Sequence, residues 1–411
     1  MLLFIESIRT GTGMSHVKWA IENGIDTAYI TDQPLEAAKA RYCGEVVDEL
    51  ERRGRAFQVP STMTADVPSD LVDRIREVGG PTGIVCLLDR SVEFAAVLAE
   101  RLGVPYPSPD AVRTIRDKRS ARRFYSEAGV PNLRWCAPES AEELVEFAGQ
   151  LDVPVVLKNS RGAGSFNVTL VRTAEEAVTA FAELSADVPF FGGGLLAEEY
   201  VRGPLYSLET LITGGRCHHL GVTDRQIGPN PAFCEVSYSF PVQVPASVED
   251  RMRRTVETCV AALEIEQGML HTEFAVMGDD DVVIIEINIR PPGAAIPLMM
   301  NDCLESALPE ILAASALGTE LPSLNQNGRA STTMTVYPPV RGKLRALHGV
   351  EEAVHAPFVA QVLPGAQIGE EVFPPVDYRG ALCQIRTVAD SVNLSYNAAV
   401  AAARDVWAEV E

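Results

Sequence analysis

The sequence predicts an α+β protein built from three parts. Strands and helices alternate over about the first 110 residues, which is the pattern of a parallel sheet with crossover helices. Farther along, apolar runs are separated by glycine-rich or acidic turns, which is the pattern of antiparallel hairpins. We therefore expect an N-terminal parallel α/β domain (1–112), a small α+β lid with its linker helix (113–205) and a larger C-terminal antiparallel α+β domain (206–411).

The N-terminal part alternates short apolar runs with helical patterns. Its predicted strands cover residues 2–5, 27–31, 56–59 and 84–88, and its predicted helices cover 14–22, 35–50, 71–78 and 92–102. Asp89 directly follows the fourth strand, at the carboxyl end where open sheets place ligands. A helix cap explains Asp89 equally well.

A basic segment and a glycine loop follow. Five of the ten residues from Arg113 to Arg122 are basic, which suits either a solvated helix face or a helix that faces phosphate. Lys158 then ends a predicted strand, and a small-residue loop leads to a second strand near residue 167. In a Walker P-loop the lysine follows the glycines, so this is a different loop, although its N–H groups can still fold over phosphates. An ordinary hairpin with one surface lysine remains the alternative.

The lid ends in an extended segment, Glu198 to Val201, before the turn at Gly203 and Pro204. Such a segment exposes the backbone N–H and C=O groups that an adenine edge can bond. Surface charges are the alternative for its two glutamates.

The central feature of the C-terminal part is a predicted hairpin within residues 271–293. Val283, Ile285, Ile287 and Ile289 alternate with polar residues, which predicts a strand with one buried and one polar face. If Val276 lies opposite Val283, Glu273 lies opposite Glu286, and like charges so placed repel. A divalent cation would remove that repulsion. Carboxylate and amide oxygens suit Mg²⁺ when phosphates supply further ligands, and the polar face carries Glu286, Asn288 and Arg290. A half-exposed hairpin with a polar outer face is the alternative.

The remaining C-terminal elements are read from turns and periodicity. A hairpin is predicted around Gly214 and Gly215, and a strand over 329–337. Helices are predicted over 245–263, 303–317 and 397–410, and the turns and strands of a final sheet within 337–343, 363–365 and 380–385.

Composition restricts the partners and the compartment. The formal net charge of −21 argues against nucleic acid and against an anionic membrane surface. The eight cysteines form no CxxC pair, which indicates free thiols in a reducing cytoplasm. The first residues lack the basic region of a signal peptide, and no apolar run approaches membrane-spanning length. We expect a cytoplasmic protein.

Taken in order, these motifs resemble the ATP-grasp superfamily of carboxylate–amine ligases. The set comprises Lys118 in a helix before Ala-Gly-Val-Pro, Lys158 with its glycine loop, Glu-Glu-Tyr-Val-x-Gly-Pro from residue 198, and Glu273 with Glu-x-Asn-x-Arg-Pro-Pro-Gly from residue 286. His271-Thr-Glu273 and the tract 223–235 are similar to the branch that includes L-amino-acid (dipeptide) ligases and carnosine-synthase-like enzymes. The resemblance covers most of the chain and implies an ATP-grasp fold.

The resemblance implies a role for each motif. ATP phosphates would be bound by Lys118 and Lys158, with a loop of Gly162, Gly164 and Ser165 closing over them. Adenine would be held by Glu198, Glu199, Tyr200 and Val201. Mg²⁺, usually two ions and with Mn²⁺ as an alternative, would be held by Glu273, Glu286 and Asn288. The catalytic residues would be Arg290 and Lys158.

Two further roles follow from the resemblance. The family usually has a ribose-binding glutamate after Gly-Pro, and this chain has Leu205 there. Either Glu209, on the same side of the strand, replaces it, or the ribose is held by other residues. Substrate would be bound by Arg225, Glu235, His271 and Gly293. An exposed loop with an incidental ion pair is the alternative for the first two, and a structural histidine for the third.

The implied activity is an ATP-dependent ligation. A carboxylate, such as an amino acid or another small acid, would be activated as an acyl phosphate and joined to an amine to form an amide or dipeptide, with release of ADP and phosphate. Small-molecule substrates and a homodimer are expected with this activity. The alternatives are an ATP-dependent carboxylase that uses bicarbonate and a non-catalytic nucleotide-binding protein.

Overall fold

The structure of the protein is a computed structural model that describes residues 1–6, 13–39, 44–151, 153–162, 164, 168–228, 233–278 and 281–411. Within these ranges the strands form four sheets: one parallel sheet of four strands and antiparallel sheets of four, eight and three strands. The α+β class, with a parallel N-terminal sheet and antiparallel sheets after it, is confirmed.

The N-terminal part is a parallel sheet packed with helices. Its strands, in spatial order β3-β2-β1-β4, are β1 (Leu2–Ile5), β2 (Thr27–Thr31), β3 (Ala56–Gln58) and β4 (Gly83–Cys86). Its helices are α1 (Gly13–Glu22), α2 (Leu35–Ala38), α3 (Gly44–Arg52), α4 (Leu71–Glu77) and α5 (Val92–Leu102). Asp89 follows β4 and therefore lies at the carboxyl edge of this sheet.

Two linker helices, α6 (Pro109–Arg116) and α7 (Lys118–Glu127), lead into the second part, which is a small antiparallel sheet. One face of that sheet is covered by α8 (Ala141–Gly149) and α9 (Ala174–Phe191). The strands, in spatial order β5-β8-β6-β7, are β5 (Trp135–Cys136), β6 (Val155–Asn159), β7 (Val168–Val171) and β8 (Leu195–Glu199). Val155 and Leu157 pack against α8 and α9, so the alternate residues Val156 and Lys158 lie on the other face of this lid sheet.

The third part is built on the eight-stranded sheet, in spatial order β13-β12-β9-β10-β11-β14-β18-β16. Its strands are β9 (Leu205–Thr213), β10 (Arg216–Ile227), β11 (Glu235–Val242), β12 (Gln267–Gly278), β13 (Asp281–Asn288), β14 (Ala330–Val336), β16 (Val359–Pro364) and β18 (Cys383–Ala389). A small sheet, in spatial order β17-β15-β19, is formed by β15 (Gly342–His348), β17 (Glu371–Val372) and β19 (Trp407–Val410). The helices are α10 (Ala246–Ala262), α11 (Ile296–Cys303), α12 (Leu308–Leu317), α13 (Val350–Val354) and α14 (Val392–Ala403).

The N-terminal and C-terminal parts share one hydrophobic core. Leu3 and Ile30 of the parallel sheet belong to the same buried cluster as Leu208 and Ile284 of the eight-stranded sheet. At Gly83 the backbone of β4 lies so close to α12 that a Cβ there would be 2.3 Å from the Ala316 carbonyl oxygen. Glycine is therefore required at this contact.

The basic segment is not one helix, as predicted, but two. Asp117 has extended backbone angles, and its side chain accepts hydrogen bonds from the N–H groups of Arg119 and Ser120. It therefore caps the start of α7, and a cap of this kind is worth about 1 kcal/mol of helix stability. The break turns Lys118 and Arg122 toward the interior, where both side chains are buried.

Three C-terminal predictions are wrong. The helix predicted over 303–317 begins only at Leu308, because Leu304 is extended and a proline occupies the first turn of α12. The closing helix predicted over 397–410 is α14 followed by the strand β19, since residues 407–410 pair with β15. The predicted final sheet is divided, because β18 joins the eight-stranded sheet while β15 belongs to the three-stranded one.

Cysteines and helices agree with the expectations from composition. Every cysteine in the described ranges is free, and Cys43 lies outside those ranges. Among the residues described, none of the helices combines the length and the apolar character that crossing a membrane requires.

Candidate active site

Two glutamates face each other across the β12–β13 hairpin. Glu273 of β12 is the cross-strand partner of Glu286 of β13, as the sequence predicts. The premise of that prediction is wrong, however, because Val276 lies opposite Val282 and not opposite Val283. The register shifts by one residue between the two pairs, at a β-bulge.

The bulge also changes which side chains share a face. The register passes over Ile285, which is the inserted residue. Val283 and Ile285, predicted to share a face with Ile287 and Ile289, pack instead with Leu133 in a separate small cluster. One inserted residue turns the strand over, so the predicted alternation holds only beyond it. In that last segment Ile287 and Ile289 belong to the core, so the alternate residues Glu286, Asn288 and Arg290 lie on the other face.

Protein cations already offset the charge of both glutamates. Nζ of Lys118 lies 2.8 Å from Oε1 of Glu286. Arg225 binds Glu273, and Nε2 of His271 lies 3.4 Å from the same carboxylate. Burial by itself would raise the pKa of Glu273, but Arg225 and His271 hold that pKa well below its ordinary value. The cross-strand repulsion, about 1 kcal/mol at most, is therefore relieved without a metal ion, which corrects the argument made from the sequence.

A buried polar chain lies behind Glu273. Nδ1 of His271 donates to Glu209 at 2.9 Å, and Glu209 also accepts from the hydroxyls of Ser207 at 2.8 Å and Thr223 at 3.0 Å. Burial lowers the pKa of His271, but Glu209 and Glu273 outweigh burial and raise it to about 9. The imidazole is therefore protonated at neutral pH and can donate from both nitrogens.

This geometry shows the surroundings of two of the predicted site residues. Glu209, expected beside the ribose, is fully buried and holds His271. Both ring nitrogens of His271 face carboxylates, so the histidine supports Glu273 from behind.

Arg225 connects Glu273 to a second carboxylate. Its guanidinium binds Glu235, and the Tyr238 hydroxyl donates to Glu235 at 2.7 Å. The Arg225 and Glu235 side chains are only 10% and 19% exposed, so this is not the incidental surface pair of the alternative. Residues 229–232 of the same loop lie outside the described residues. Gly293 lies beside the site, where a Cβ would be 3.7 Å from Nη1 of Arg290.

A buried ion triad lies on the inner face of the lid sheet. Oε2 of Glu198 is 2.6 Å from Nζ of Lys158, and its Oε1 accepts from Nε of Arg122 at 2.6 Å. Burial by itself would raise the pKa of Glu198, but Arg122 and Lys158 lower it to about 2. One carboxylate and two cations give the triad one net positive charge, and that charge favours an anionic ligand.

We expect this triad to make acid stability depend on Glu198. Its pKa is depressed in the folded state, so the stabilisation is complete above the ordinary pKa of 4.5 and is lost as pH falls toward about 2. The lowering corresponds to up to about 3 kcal/mol. The unfolding free energy of wild type minus that of Glu198→Gln should therefore shrink as pH falls below 4.5. Urea unfolding at pH 6, 4.5 and 3.5 measures it, and a difference that does not change with pH would contradict the assignment.

The base of the glycine loop is tied to the linker helices and to the N-terminal part. Nζ of Lys118 donates to the Gly162 carbonyl at 2.7 Å, and Arg116 donates to the Arg161 carbonyl at 2.8 Å. Arg161 in turn binds Glu93 of α5. Gly164 has a φ of +67°, a conformation that favours glycine. Ser165, predicted in the same loop, lies outside the described residues.

A cleft of about 400 Å³ opens at the end of the lid sheet, lined by Pro154, Leu170, Arg172, Tyr200, Arg202 and Gly203. Two of the main-chain N–H groups in the adjoining segment, residues 199–201, donate hydrogen bonds to main-chain carbonyls. Those of Glu199 and Tyr200 donate to the carbonyls of Arg134 and Pro154 at 3.0 and 2.8 Å. The N–H of Val201 bonds no main-chain acceptor among the described residues. The Glu199 carboxylate itself pairs with Arg134 at 2.7 Å.

Arg290 lies where the N-terminal sheet meets the hairpin. Nη1 donates to the Pro291 carbonyl at 2.8 Å, and Nη2 to Oδ1 of Asn288 at 3.4 Å. Nε lies 3.7 Å from Asp89, whose other oxygen is 3.3 Å from Nε of Arg116. Burial by itself would raise the pKa of Asp89, but Arg116 and Arg290 lower it. Asp89 therefore holds Arg290 from the carboxyl edge of the parallel sheet.

Two arginines of this site were not identified from the sequence. Arg116 and Arg122 lie in the basic segment 113–122, where charge alone favours a solvated face and a phosphate-facing helix equally. The structure buries both and turns them toward carboxylates. The charge reversal of the segment was the available signal, but it does not say which of the five basic residues turn inward.

Comparison with known proteins agrees with the sequence motifs. Two family models match the chain, the ATP-grasp domain over residues 151–296 and the L-amino acid ligase C-terminal domain 2 over residues 334–411. Among curated relatives, the uncharacterized protein y4rH of Sinorhizobium fredii is 26% identical over 303 residues, covering 72% of this chain and 61% of the relative. The alanine–anticapsin ligase of Bacillus subtilis is 25% identical over 250 residues, covering 54% and 52%. The chain thus spans between half and about three fifths of these relatives.

A solved structure shows the same fold. The L-amino acid ligase of Bacillus licheniformis superimposes with a TM-score of 0.80 at 19% identity, over 100% of this chain and 98% of the other. The family resemblance predicted from the motifs is confirmed. The chain therefore carries an ATP-grasp domain over residues 151–296, followed by an L-amino acid ligase C-terminal domain 2 over residues 334–411.

Proposed function

We propose that the protein is an ATP-dependent carboxylate–amine ligase that releases ADP and phosphate. The observation that supports it best is the convergence of opposite charges between the lid sheet and the hairpin. Lys118 binds Glu286 of the hairpin, while Lys158 lies in a buried triad with one net positive charge. A polyphosphate accompanied by a divalent cation complements both charges.

Nucleotide would lie along the inner face of the lid sheet. Lys158 and the cleft beside Tyr200 lie at opposite ends of that sheet, since Asn159 pairs with Leu195 and Val155 with Glu199. Adenine would enter the cleft and bond the N–H of Val201, while the phosphates reach Lys118, Lys158 and a loop of Gly162, Gly164 and Ser165. With Glu209 buried, the exposed Arg172 and Arg202 are the candidates to reach the ribose.

The oxygen donors of the hairpin fit Mg²⁺. Glu273, Glu286 and Asn288 offer two carboxylates and an amide, and within the described part of the chain Oδ1 of Asn288 accepts only a long bond from Arg290. No group of three or more His, Cys, Asp or Glu side chains within the described ranges could enclose a metal ion alone. Such an incomplete set suits Mg²⁺, which retains positions for phosphate and water. Bound there, Mg²⁺, as two ions or replaced by Mn²⁺, would neutralise phosphate charge.

The chemistry needs no protein nucleophile. A carboxylate oxygen of the substrate attacks the γ-phosphorus, the bond to the β–γ bridging oxygen breaks, and ADP leaves. The amine nitrogen then attacks the acyl carbon, the bond to the phosphate oxygen breaks, and the nitrogen loses its proton as phosphate departs. Lys158 and Arg290 offset the charge on the transferring group, and Asp89 holds the Arg290 side chain in place. Closure of the glycine loop would exclude water from the acyl phosphate.

The substrates we propose are small carboxylates and amines, amino acids foremost. Arg225, Glu235 and Gly293 remain the candidates to contact them, because Arg225 binds both Glu235 and Glu273, and Gly293 adjoins Arg290. We further propose that the enzyme acts as a homodimer in the cytoplasm.

The test is phosphate release measured with a matrix of amino-acid pairs, with product masses read by mass spectrometry. We expect ADP and a dipeptide or amide in a 1:1 ratio for at least one pair. Bicarbonate dependence without any amine would replace the proposal with a carboxylase. ATP binding with no ADP formed across the matrix would replace it with a non-catalytic nucleotide-binding protein.

A further inference from the structure

Arg122 is the largest fully buried side chain that carries a charge, at 1% exposure. It lies one helical turn after Lys118 on α7, so the two side chains project from the same face of the helix. An arginine is seldom buried to this extent unless several acceptors satisfy its five donors. Its acceptors come from two separate parts of the molecule.

One arm of the guanidinium reaches the lid sheet. Nε donates to Oε1 of Glu198 on β8, and the other oxygen of Glu198 binds Lys158 on β6 at 2.6 Å. Glu198 thus lies between the two cations. Arg122 fixes the position of the Glu198 carboxylate, and that carboxylate in turn fixes Nζ of Lys158.

The other arm reaches the β-bulge of the hairpin. Nη1 donates to the Ile284 carbonyl at 2.7 Å and Nη2 to the Ile285 carbonyl at 2.9 Å. Nη1 is also held by Oδ1 of Asn132 at 2.9 Å. Ile285 is the inserted residue, so these bonds occupy carbonyls at the point where the ladder is interrupted. The next residue is Glu286, whose direction depends on how the bulge is held.

We infer that Arg122 is a positioning residue that sets the spacing between the phosphate-binding Lys158 and the metal-binding Glu286. The inference rests on the proposed function of those two residues. A planar guanidinium is suited to this task because its fork of donors fixes several acceptors in one plane, whereas lysine offers a single ammonium group.

The first test is Arg122→Lys, which keeps the charge and removes the fork. We expect two dissociation constants to rise about tenfold, which is about 1.4 kcal/mol each: that of ATP in EDTA, measured by calorimetry, and that of free Mn²⁺, measured by its electron paramagnetic resonance signal. Neither measurement depends on turnover. A folded Arg122→Lys protein with both constants within about twofold of wild type would overturn the inference.

Two more variants test the two arms of the Arg122 guanidinium separately. They also provide the test if Arg122→Lys does not fold. Glu198→Asp keeps the charge but shortens the side chain by one methylene, so the carboxylate cannot link Arg122 to Lys158 in the same geometry; ATP affinity should fall while Mn²⁺ affinity is unchanged. Asn132→Ala removes the support of Nη1, so Mn²⁺ affinity should fall more than ATP affinity. If both variants weakened the two ligands equally, the two-arm arrangement would be refuted.

A matched control is Arg386→Lys, which changes another little-exposed arginine, paired with Asp302 in the C-terminal part. It should leave both affinities unchanged; losses equal to those of Arg122→Lys would show a general effect of disturbing buried arginines. The wild type separates the two hypotheses: if it binds no ATP, the proposed function fails, whereas normal binding in both wild type and Arg122→Lys overturns the positioning role alone.

Discussion

Glu286→Ala should abolish ADP release and leave the fold intact. The substitution removes the carboxylate that faces both Lys118 and the expected metal position, at the centre of the charge arrangement. Loss of one preorganised electrostatic contact typically costs about 10²–10³ in turnover, and here metal and phosphate binding would fall together. The backbone of β13 should tolerate the change, because Ile284 and Ile287 on either side remain in the core.

The measurement is ADP release at saturating MgATP, with circular dichroism and thermal unfolding as checks of the fold. Glu286→Gln, which keeps the shape and removes the charge, should lose nearly as much activity. Glu409→Ala is the control, since Glu409 is also a strand glutamate with a polar neighbour, His348 at 3.0 Å, in the three-stranded sheet. Turnover retained in Glu286→Ala would count against the assignment of the whole site.

Arg290→Lys should lower kcat by about 10²–10³ and change the KM for ATP by less than about threefold. Arg290 bonds Asn288 and Pro291 and lies next to Asp89, away from the lid cleft where adenine is expected. Its contribution should therefore appear when charge develops on the transferring phosphoryl group. Lysine keeps the charge but cannot reproduce a planar fork of donors.

Steady-state kinetics with ATP and substrate varied separately provide the test, and Arg329→Lys is the control. Arg329 is exposed, and its side chain donates a long bond, 3.4 Å, to the Val388 carbonyl, so its replacement should leave kcat and both KM values unchanged. If Arg290→Lys raised the KM for ATP and left kcat near wild type, Arg290 would be a nucleotide contact and not a residue that acts in phosphoryl transfer.

Local patterns account for most of the elements and for the pair of glutamates. The strand and helix periods in the first hundred residues predict the parallel sheet, because each element carries its own repeat of apolar residues. The prediction failed where pairing between distant residues decided the outcome. Residues 407–410 form a strand because β15 is available beside them, and nothing in their own sequence requires it.

The candidate site divides in the same way. Its polar side chains, Glu273, Glu286, Asn288 and Arg290, could be chosen from the sequence because the alternation and the following prolines are local signals. The β-bulge could not be predicted, because the order of residue types along the strand is the same whether or not one residue is left unpaired. For Glu209 the sequence did not predict the burial of the side chain, because its partner in the interior, His271, lies 62 residues away in the chain.

The sequence by itself determined the fold class, the superfamily and the residue types that can bind a metal and phosphates, because these depend on local period and composition. Only the tertiary structure decided which charges compensate one another. Arg122 bonds a carbonyl 162 residues away, and Glu198 meets it across 76 residues. Contacts of that range arise from how the parts pack together, so they leave no periodic trace along the chain.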